Sequence, residues 1–391
     1  MRILILTLLC STLISAKAQD SIRTFIFGHS LINHEYQVNV TPSNETSVPH
    51  WMHFLAEAGG KHIAVSGQYG FLPQHDNLPP IAQWGFDEVD GVWDSDNEPF
   101  SAAEFHNILI TPGNFIQYQS PSSAYWDDPN TSPISATKTI FSWCNEQTEN
   151  LDFYIYENWP DMGSYLSNGF PPTASEWQAY TDYTQGGFHD WFVEYHDSLV
   201  EAFPNSCVKM IPIGPIISKL LSTSPYNTIA VDTLYEDDAP HGRPTIYFLA
   251  ALTTYMTYYG EKAPSRYAPP TEFIAPEIAD NYLAVVDFIW NELQAFNNAN
   301  DESKVFCEEP ITNSITHVSS AELTVYPNPT TGIVHLPNHQ ISKVTVSHTN
   351  GQVALQSTSN TIDIGHLPNG VYIISIIDDN GLQKRVRVVK H

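Results

Sequence analysis

The chain has 391 residues, a formal net charge of −27 and four cysteines. This length exceeds what one domain usually holds, so we expect more than one domain. The acidity excludes a nucleic-acid partner, whose phosphates it would repel, and disfavours anionic membranes. It suits a neutral or cationic substrate, although solubility in a salty or crowded exterior is the favoured explanation of the charge.

The first 18 residues have the pattern of a secretory signal peptide. An early Arg2, an apolar stretch and an Ala-Lys-Ala ending predict cleavage after Ala18. Nothing later reaches about 18 consecutive apolar residues, so we expect an exported protein without stable membrane insertion. The remaining Cys144, Cys207 and Cys307 allow one disulfide and a free thiol, but no disulfide framework.

Short apolar runs alternate with helical patterns from Thr24 onward. Strands are predicted at Thr24–Phe27, His62–Val65, Asn107–Thr111, Phe153–Tyr156 and Val208–Ile213. Helices are predicted at Trp51–Ala58, Thr137–Gln147, Glu176–Phe203 with a break at Gly186-Gly187, Thr245–Tyr259 and Pro276–Phe296. Strands separated by helices predict an α/β fold with a parallel sheet of about five strands and helices on both faces. The insertions at residues 74–102 and 117–133 are expected to be loops at the ends of the sheet.

The character of the sequence changes near residue 300. We predict a domain over residues 19–300, a polar linker over 301–321 and a second domain over 322–391. The last region contains short alternating runs joined by Asn-Gly and Pro-Asn-Gly turns, which is typical of a small all-β sandwich.

This tail resembles the C-terminal sorting domain of the type IX secretion system of Bacteroidetes. The matching stretches are "VYPNPTTG" from Val325, "NGQV" from Asn350, "LPNGVYIISI" from Leu367 and the basic ending "KRVRVVKH". The resemblance implies that the type IX machinery is a partner and that the protein is secreted or held at the cell surface. An Ig-like adhesion module is the alternative.

The stretch "TFIFGHSLIN" places Ser30 directly after the first predicted strand. In an open parallel sheet, ligands bind outside the carboxyl ends of the strands. Gly28 permits a tight exit from the strand, and a serine in this position becomes a nucleophile if a base and an orienting acid are supplied. An ordinary turn would also use Gly and Ser.

A candidate base and acid occur far downstream in "YEDDAPHGRP". Asp238 precedes His241 by three residues, so its carboxylate can reach Nδ1 of the imidazole and leave Nε2 for the serine proton. Asp237 is a neighbouring acid, but its spacing from His241 is wrong for this contact. Hydrogen-bond donors for an oxyanion are expected after the next two strands. The candidates are Gly67 or Gly70 in "SGQYG" and Asn114 in "TPGNFIQ".

The ordered set Ser30, Gly67, Asn114, Asp238 and His241 resembles the SGNH (GDSL-type) hydrolase superfamily over residues 22–262. The resemblance implies a flavodoxin-like three-layer sandwich and serine esterase, lipase, thioesterase or deacetylase chemistry without metal or cofactor. Ser30 would be the nucleophile and, through its N–H, an oxyanion donor with Gly67 and Asn114. His241 would be the base and Asp238 its orienting acid.

Two departures from the family pattern concern the substrate side of the site. His29 replaces the Asp of Gly-Asp-Ser-Leu, and the third block reads Thr-Pro-Gly-Asn-Phe. Asn158, after the next strand, is a rival for the amide role. His29, Asn158 and Trp159 are candidate substrate-binding residues, with Trp159 stacking on a sugar ring.

The hypothesis is a secreted serine esterase that removes an acetyl or other small acyl group from a carbohydrate through an acyl-enzyme on Ser30. The alternatives are a non-catalytic glycan-binding protein on the same fold and a lipase or thioesterase. The sixteen histidines invite a metal hypothesis, but no His-Glu-x-x-His signature occurs. We therefore predict no metal site.

Overall fold

The structure is a computed structural model. It describes residues 21–34, 47–86, 88–113, 118–126, 128–307, 325–336, 341–348, 353–378 and 383–391. The predicted signal peptide therefore lies outside the described residues. The chain divides into two compact units, Met1–Ile311 and Thr312–His391.

A five-stranded parallel sheet forms the centre of the first unit. Its strands are β1 (Ser21–Gly28), β2 (His62–Tyr69), β3 (Asn107–Ile110), β4 (Asp152–Tyr156) and β5 (Cys207–Ile211). They lie in the order β2-β1-β3-β4-β5, and each neighbouring pair is parallel. This 2-1-3-4-5 order is that of flavodoxin-like folds, so the predicted α/β class is confirmed.

Each predicted helical segment of this unit contains helix in the structure. Their bounds are α1 (Val48–Gly59), α2 (Leu72–His75), α3 (Pro133–Gln147), α4 (Ala174–Gln185), α5 (Gly187–Ala202), α6 (Ile213–Leu221), α7 (Val231–Leu234), α8 (Pro244–Tyr259), α9 (Pro276–Ala279) and α10 (Tyr282–Ala295). Of these, α2, α6 and α7 were not predicted. The predicted break at Gly186 separates α4 from α5. Pro244 occupies the first turn of α8, where its missing N–H costs no hydrogen bond.

Alternate residues of the strands face two separate cores. Along β1, Ile22 and Ile26 join the core packed under α1, α6, α8 and α10. Phe25 and Phe27 point the other way, into a core shared with α3 and α5. Because successive side chains of a strand point to opposite faces, one sheet serves both cores and the unit has three layers.

The segment after α10 belongs to the first unit, contrary to the predicted start of the linker at residue 301. Lys304 O accepts a hydrogen bond from Met210 N–H of β5 at 2.8 Å. Val305 is fully buried, and Cys307 forms a disulfide with Cys207. The segment thus covers the open edge of β5, an edge that would otherwise expose unpaired backbone groups. The polar composition of residues 301–303 concealed this packing.

The second unit consists of antiparallel strands, as predicted. They are β6 (Ile333–His335), β7 (Ile341–His348), β8 (Val353–Ser357), β9 (Thr361–Asp363), β10 (Gly370–Asp378) and β11 (Gln383–Lys390). A four-stranded sheet has the order β11-β10-β7-β8, and β6 pairs with β9. The unit has its own apolar core, which includes Val334, Val346, Ile362 and Ile374.

Candidate active site

Ser30 lies in a tight turn at the carboxyl end of β1. The Ile32 N–H donates to the His29 carbonyl at 2.9 Å and closes the turn. A Cβ atom at Gly28 would approach the side chains of Ile26 and Ile32 to 3.1 Å. Glycine therefore provides the close exit from the strand that the sequence predicts, and the serine side chain emerges at the ligand-binding edge of the sheet.

Two buried tyrosines hold this turn from below. Tyr247 of α8 donates its hydroxyl hydrogen to the Ser30 carbonyl at 2.7 Å. Tyr156, the last residue of β4, donates to the Leu31 carbonyl at 3.2 Å. Because both rings are buried and their hydroxyls are satisfied, the serine is fixed by the core itself.

His241 is carried by a short loop between α7 and α8. Tyr235 and Gly242 form an antiparallel bridge at the base of this loop, and Glu236 N–H donates to the His241 carbonyl at 2.9 Å. The indole Nε1 of Trp159 donates to the Pro240 carbonyl at 2.7 Å. The loop that presents the imidazole is therefore anchored to the segment after β4.

A chain of hydrogen bonds joins Ser30, His241 and Asp237. Nε2 of His241 lies 3.0 Å from Ser30 Oγ. Nδ1 of His241 lies 2.7 Å from Asp237 Oδ2, and the backbone N–H of His241 donates to Asp237 Oδ1 at 3.1 Å. An acid–imidazole–hydroxyl chain of this length is the arrangement that activates a serine for nucleophilic attack.

The prediction that Asp238 contacts His241 is wrong in geometry, since Asp237 makes both contacts. The spacing argument assumed that residues three apart meet on one turn, but the loop is a narrow hairpin in which Asp237 lies beside His241. Asp238 is exposed near the tip of the hairpin, and its carbonyl accepts from Met162 N–H at 2.8 Å. Burial, together with Asp238 and Asp237 nearby, raises the pKa of Asp161. The rim of the site is therefore acidic.

The predicted oxyanion donors are only partly brought to this place. Among the described residues, the Ser30 N–H donates to no protein acceptor, so it remains available to an oxyanion. Gly67 lies inside β2, paired with Ile26, where a Cβ would come within 2.8 Å of the Ile26 carbonyl oxygen. It is a close-packing glycine that the structure does not bring to Ser30. The Gly70 N–H is used by the Gly28 carbonyl at 2.9 Å. Asn114 lies outside the described residues.

His29 is a buried residue, although the sequence analysis predicts that it binds substrate. It is 1% exposed, and its ring stacks on Phe71 at a centroid distance of 5.4 Å. Burial, then the neighbouring His75 and His241, lowers the pKa of His29 to about 3. Burial likewise lowers the pKa of His75 to about 4. Both imidazoles are therefore neutral parts of the core behind Ser30.

Asn158 and Trp159 are also buried, which contradicts the two remaining substrate-binding predictions. The Asn158 amide donates to the Trp159 carbonyl at 2.7 Å and so stays within its own loop. Trp159 is 1% exposed, and its indole braces the His241 loop. A tryptophan after a strand has the same sequence pattern whether it stacks on a ligand or packs, and burial alone separates the two.

Several residues of the site carried no sequence signal. Asp237 was passed over in favour of its neighbour, and nothing in the sequence marked the two tyrosines under the turn. His34 was also missed, although its ring stacks on that of His241 at a centroid distance of 3.7 Å. The one available signal was the run Glu236-Asp237-Asp238, which offers three acids within reach of His241.

One group of potential metal ligands occurs within the described ranges. It comprises Asp152, Cys207 and Cys307, whose ligand atoms lie within 4.8 Å of one another. The two sulfur atoms form a disulfide, so they offer no thiolate to an ion. In the part of the chain that the structure describes, no helix is long and apolar enough to span a bilayer.

Residues 324–390 match the family described as a secretion system C-terminal sorting domain. The sequence-based identification of the tail is thus confirmed, and the protein is exported by type IX secretion to the cell surface or the extracellular space. The matched region lies within the second unit. No curated protein matches the chain.

Three solved structures are partly similar to this chain. A DUF4886 family protein from Bacteroides uniformis is 14% identical, with a TM-score of 0.44 over 73% of this chain and 98% of that one. A protein named as a GDSL-like lipase from Parabacteroides merdae is 14% identical, with a TM-score of 0.36 over 62% and 96%. A carbohydrate esterase family 2 enzyme with a carbohydrate-binding domain from Corynascus thermopiles is 11% identical, with a TM-score of 0.28 over 61% and 65%. With TM-scores below 0.5, these similarities assign no role to this chain.

Proposed function

We propose that the first unit is a serine esterase of the SGNH type. The observation that carries the proposal is the hydrogen-bonded chain from Asp237 through His241 to Ser30, with distances of 2.7 and 3.0 Å. The same three side chains stand at the carboxyl ends of the strands in a flavodoxin-like sheet, where such folds bind their ligands.

The proposed reaction proceeds through an acyl-enzyme. Ser30 Oγ attacks the carbonyl carbon of the ester while Nε2 of His241 takes the hydroxyl proton. Asp237 accepts a hydrogen bond from the Nδ1–H of His241 and stabilises the imidazolium, and the Ser30 N–H donates to the oxyanion. His241 then returns its proton to the departing alcohol. Water, deprotonated in turn by His241, releases the acid and restores the serine.

The substrate in this proposal is an acylated, neutral or cationic carbohydrate. Export places the unit among extracellular polysaccharides, and the carboxylates of Asp161, Asp237 and Asp238 around the site disfavour anionic esters. An exposed aromatic ring lies near this rim: Tyr118 is 64% exposed, and its hydroxyl contacts Ser164 Oγ at 3.2 Å. Flat exposed rings of this kind suit the apolar faces of sugars.

The test is hydrolysis of p-nitrophenyl esters by the mature chain and by Ser30→Ala. We expect the wild type to hydrolyse the acetate and Ser30→Ala to lose at least about a thousandfold in kcat while still folded, because the nucleophile is removed. Acyl chains of increasing length and acetylated polysaccharides, measured in parallel, identify the substrate. Preference for acetate and for the polysaccharide supports deacetylation, whereas preference for long chains indicates a lipase.

Equal inactivity of wild type and Ser30→Ala on every ester would refute the esterase proposal. A non-catalytic glycan-binding function would then be the favoured hypothesis. Binding of the inert wild type to polysaccharides would be the next measurement. Unchanged activity in the Ser30→Ala variant would contradict the assignment of the nucleophile.

A further inference from the structure

The imidazole of His241 lies face to face with a second imidazole, that of His34. Their ring centroids are 3.7 Å apart and their planes differ by 11°. His34 follows Ser30 by four residues, so the turn that presents the nucleophile also supplies this ring. His34 and His241 are only 17% and 18% exposed in their side chains, and each ring covers a face of the other.

The His34 ring is itself held by a buried carboxylate. Nε2 of His34 lies 3.6 Å from Glu236 Oε2, and the Glu236 side chain is 1% exposed. Nη1 of Arg243 lies 4.0 Å from the other oxygen of this carboxylate and offsets its charge. Glu236 directly precedes Asp237, so consecutive carboxylates each face one ring of the stacked pair.

The contact with Asp237 leaves one motion of His241 weakly restrained. That hydrogen bond holds the Nδ1 edge of the ring, but the Asp237 side chain is 43% exposed and water competes for it. The other edge contact of the ring is the one from Nε2 to Ser30 Oγ at 3.0 Å, and a tilt about the bond to the backbone would break it. A flat, anchored ring against the face of His241 opposes this tilt.

We propose that His34 is a positioning residue that holds the plane of the His241 ring, so that Nε2 stays directed at Ser30. This inference rests on the proposed esterase function for its kinetic consequence. Its geometric content, the restraint of one imidazole by another, can be measured without any substrate.

The kinetic test compares His34→Ala with His34→Phe in the full mature chain. Loss of the flat ring in His34→Ala is expected to lower kcat about ten- to hundredfold with KM within about twofold, because positioning acts on the chemical step. His34→Phe keeps a planar ring and is expected to return kcat to within about threefold of wild type. The matched control is His62→Ala. This imidazole also faces a carboxylate, Asp90 at 2.9 Å, but it stands at the amino end of β2, away from Ser30.

The substrate-free test follows the Nδ1 proton of His241 by proton NMR. In a short bond to Asp237, this proton gives a far-downfield signal, which Asp237→Asn should remove. We expect the signal to be lost through exchange with water in His34→Ala and to persist in His34→Phe and His62→Ala. If His34→Ala does not fold, His34→Leu takes its place, because leucine keeps apolar volume without a flat face.

The two tests separate this inference from the esterase proposal. If the wild type hydrolyses no ester, the esterase proposal fails and the downfield signal alone decides the role of His34. A signal and a kcat that are both unchanged in folded His34→Ala would overturn the positioning role. The role would also be overturned if His34→Phe were as impaired as His34→Ala, because the flat ring would then not be what matters.

Discussion

The carboxylate of Asp237 contacts both Nδ1 and the backbone N–H of His241, whereas Asp238 is exposed near the tip of the loop. The two neighbouring acids therefore provide a matched pair of variants. We expect Asp237→Asn to lower kcat by on the order of 10³–10⁴, because an amide favours the wrong tautomer of the imidazole. Asp238→Asn should stay within a few-fold of wild type. Comparison of kcat for p-nitrophenyl acetate decides between them, and the reverse ranking would contradict the hairpin geometry.

Two buried imidazoles behind Ser30 predict how stability changes with pH. Burial lowers the pKa of His29 to about 3 and that of His75 to about 4, from an ordinary value of 6.5. Between about pH 4 and pH 6.5, these two imidazoles bind more protons in the unfolded chain than in the folded chain. The free energy of unfolding therefore falls as the pH decreases below 6.5, by about 1.4 kcal/mol per pH unit for each proton.

The variant that tests this pH dependence is His75→Phe, since the ring already packs edge-on against Phe27. We expect the slope of unfolding free energy between pH 4.5 and 6 to decrease by about 1 kcal/mol per pH unit, because one titrating group is removed. All nine tryptophans lie in the first unit, so their fluorescence in urea follows that unit alone. His62→Phe, which replaces a ring 49% exposed in the folded state, is the control. Equal slopes in wild type and His75→Phe would show that His75 does not titrate as described.

At the scale of elements, the main feature is the segment that covers the open edge of the sheet at β5. β5 is an edge strand, and the disulfide from Cys207 to Cys307 ties its first residue to the segment that covers it. The crosslink spans 100 residues and includes α6, α8 and α10. A loop of this length strongly restricts the unfolded chain, so the crosslink contributes about 5 kcal/mol in the chain-entropy description.

We expect the double variant Cys207→Ser/Cys307→Ser to lose about 2–5 kcal/mol of unfolding free energy in the first unit, measured by denaturant titration. Esterase activity of the folded variant should persist, because the crosslink lies at the amino end of β5 and Ser30 at the opposite end of β1. Reduction of the wild type should reproduce the loss, and the same reductant should leave the double variant unaffected. An unchanged denaturation midpoint would show that the covering segment holds without the crosslink.

Most helix and strand positions followed from local patterns in the sequence, although α2, α6 and α7 did not. The break between α4 and α5 was signalled by Gly186-Gly187, and the start of α8 by Pro244, because these residues act on the backbone directly. The linker start at residue 301 was misplaced, since the polar residues 301–303 directly precede Lys304–Cys307, which pack against the first unit. The composition of a segment indicates how polar the segment is on average. It does not indicate whether the segment covers the edge of a strand.

At the scale of the whole molecule, each unit has its own apolar core. We predict that a mature chain ending at Ile311 keeps the proposed esterase activity and the tryptophan-detected unfolding within error of the full chain. The same deletion should stop export, because the tail that matches the sorting domain is removed. Cell fractionation of a type IX secreting host checks the export half of the prediction. Export of the shortened chain would show that the export signal lies outside the deleted tail.

The sequence by itself determined the α/β class, the export tail, and the positions of Ser30 and His241 in their segments. These features are local: periodicity, turn residues and short motifs occupy a few consecutive positions. Only the tertiary structure decided that Asp237 contacts His241, that Trp159 and His29 are buried, that Gly67 lies within a strand, and that His34 stacks on His241. Ser30 and His241 are 211 residues apart in the chain. Which neighbours surround such a pair depends on how loops from distant segments pack, and no local pattern records that.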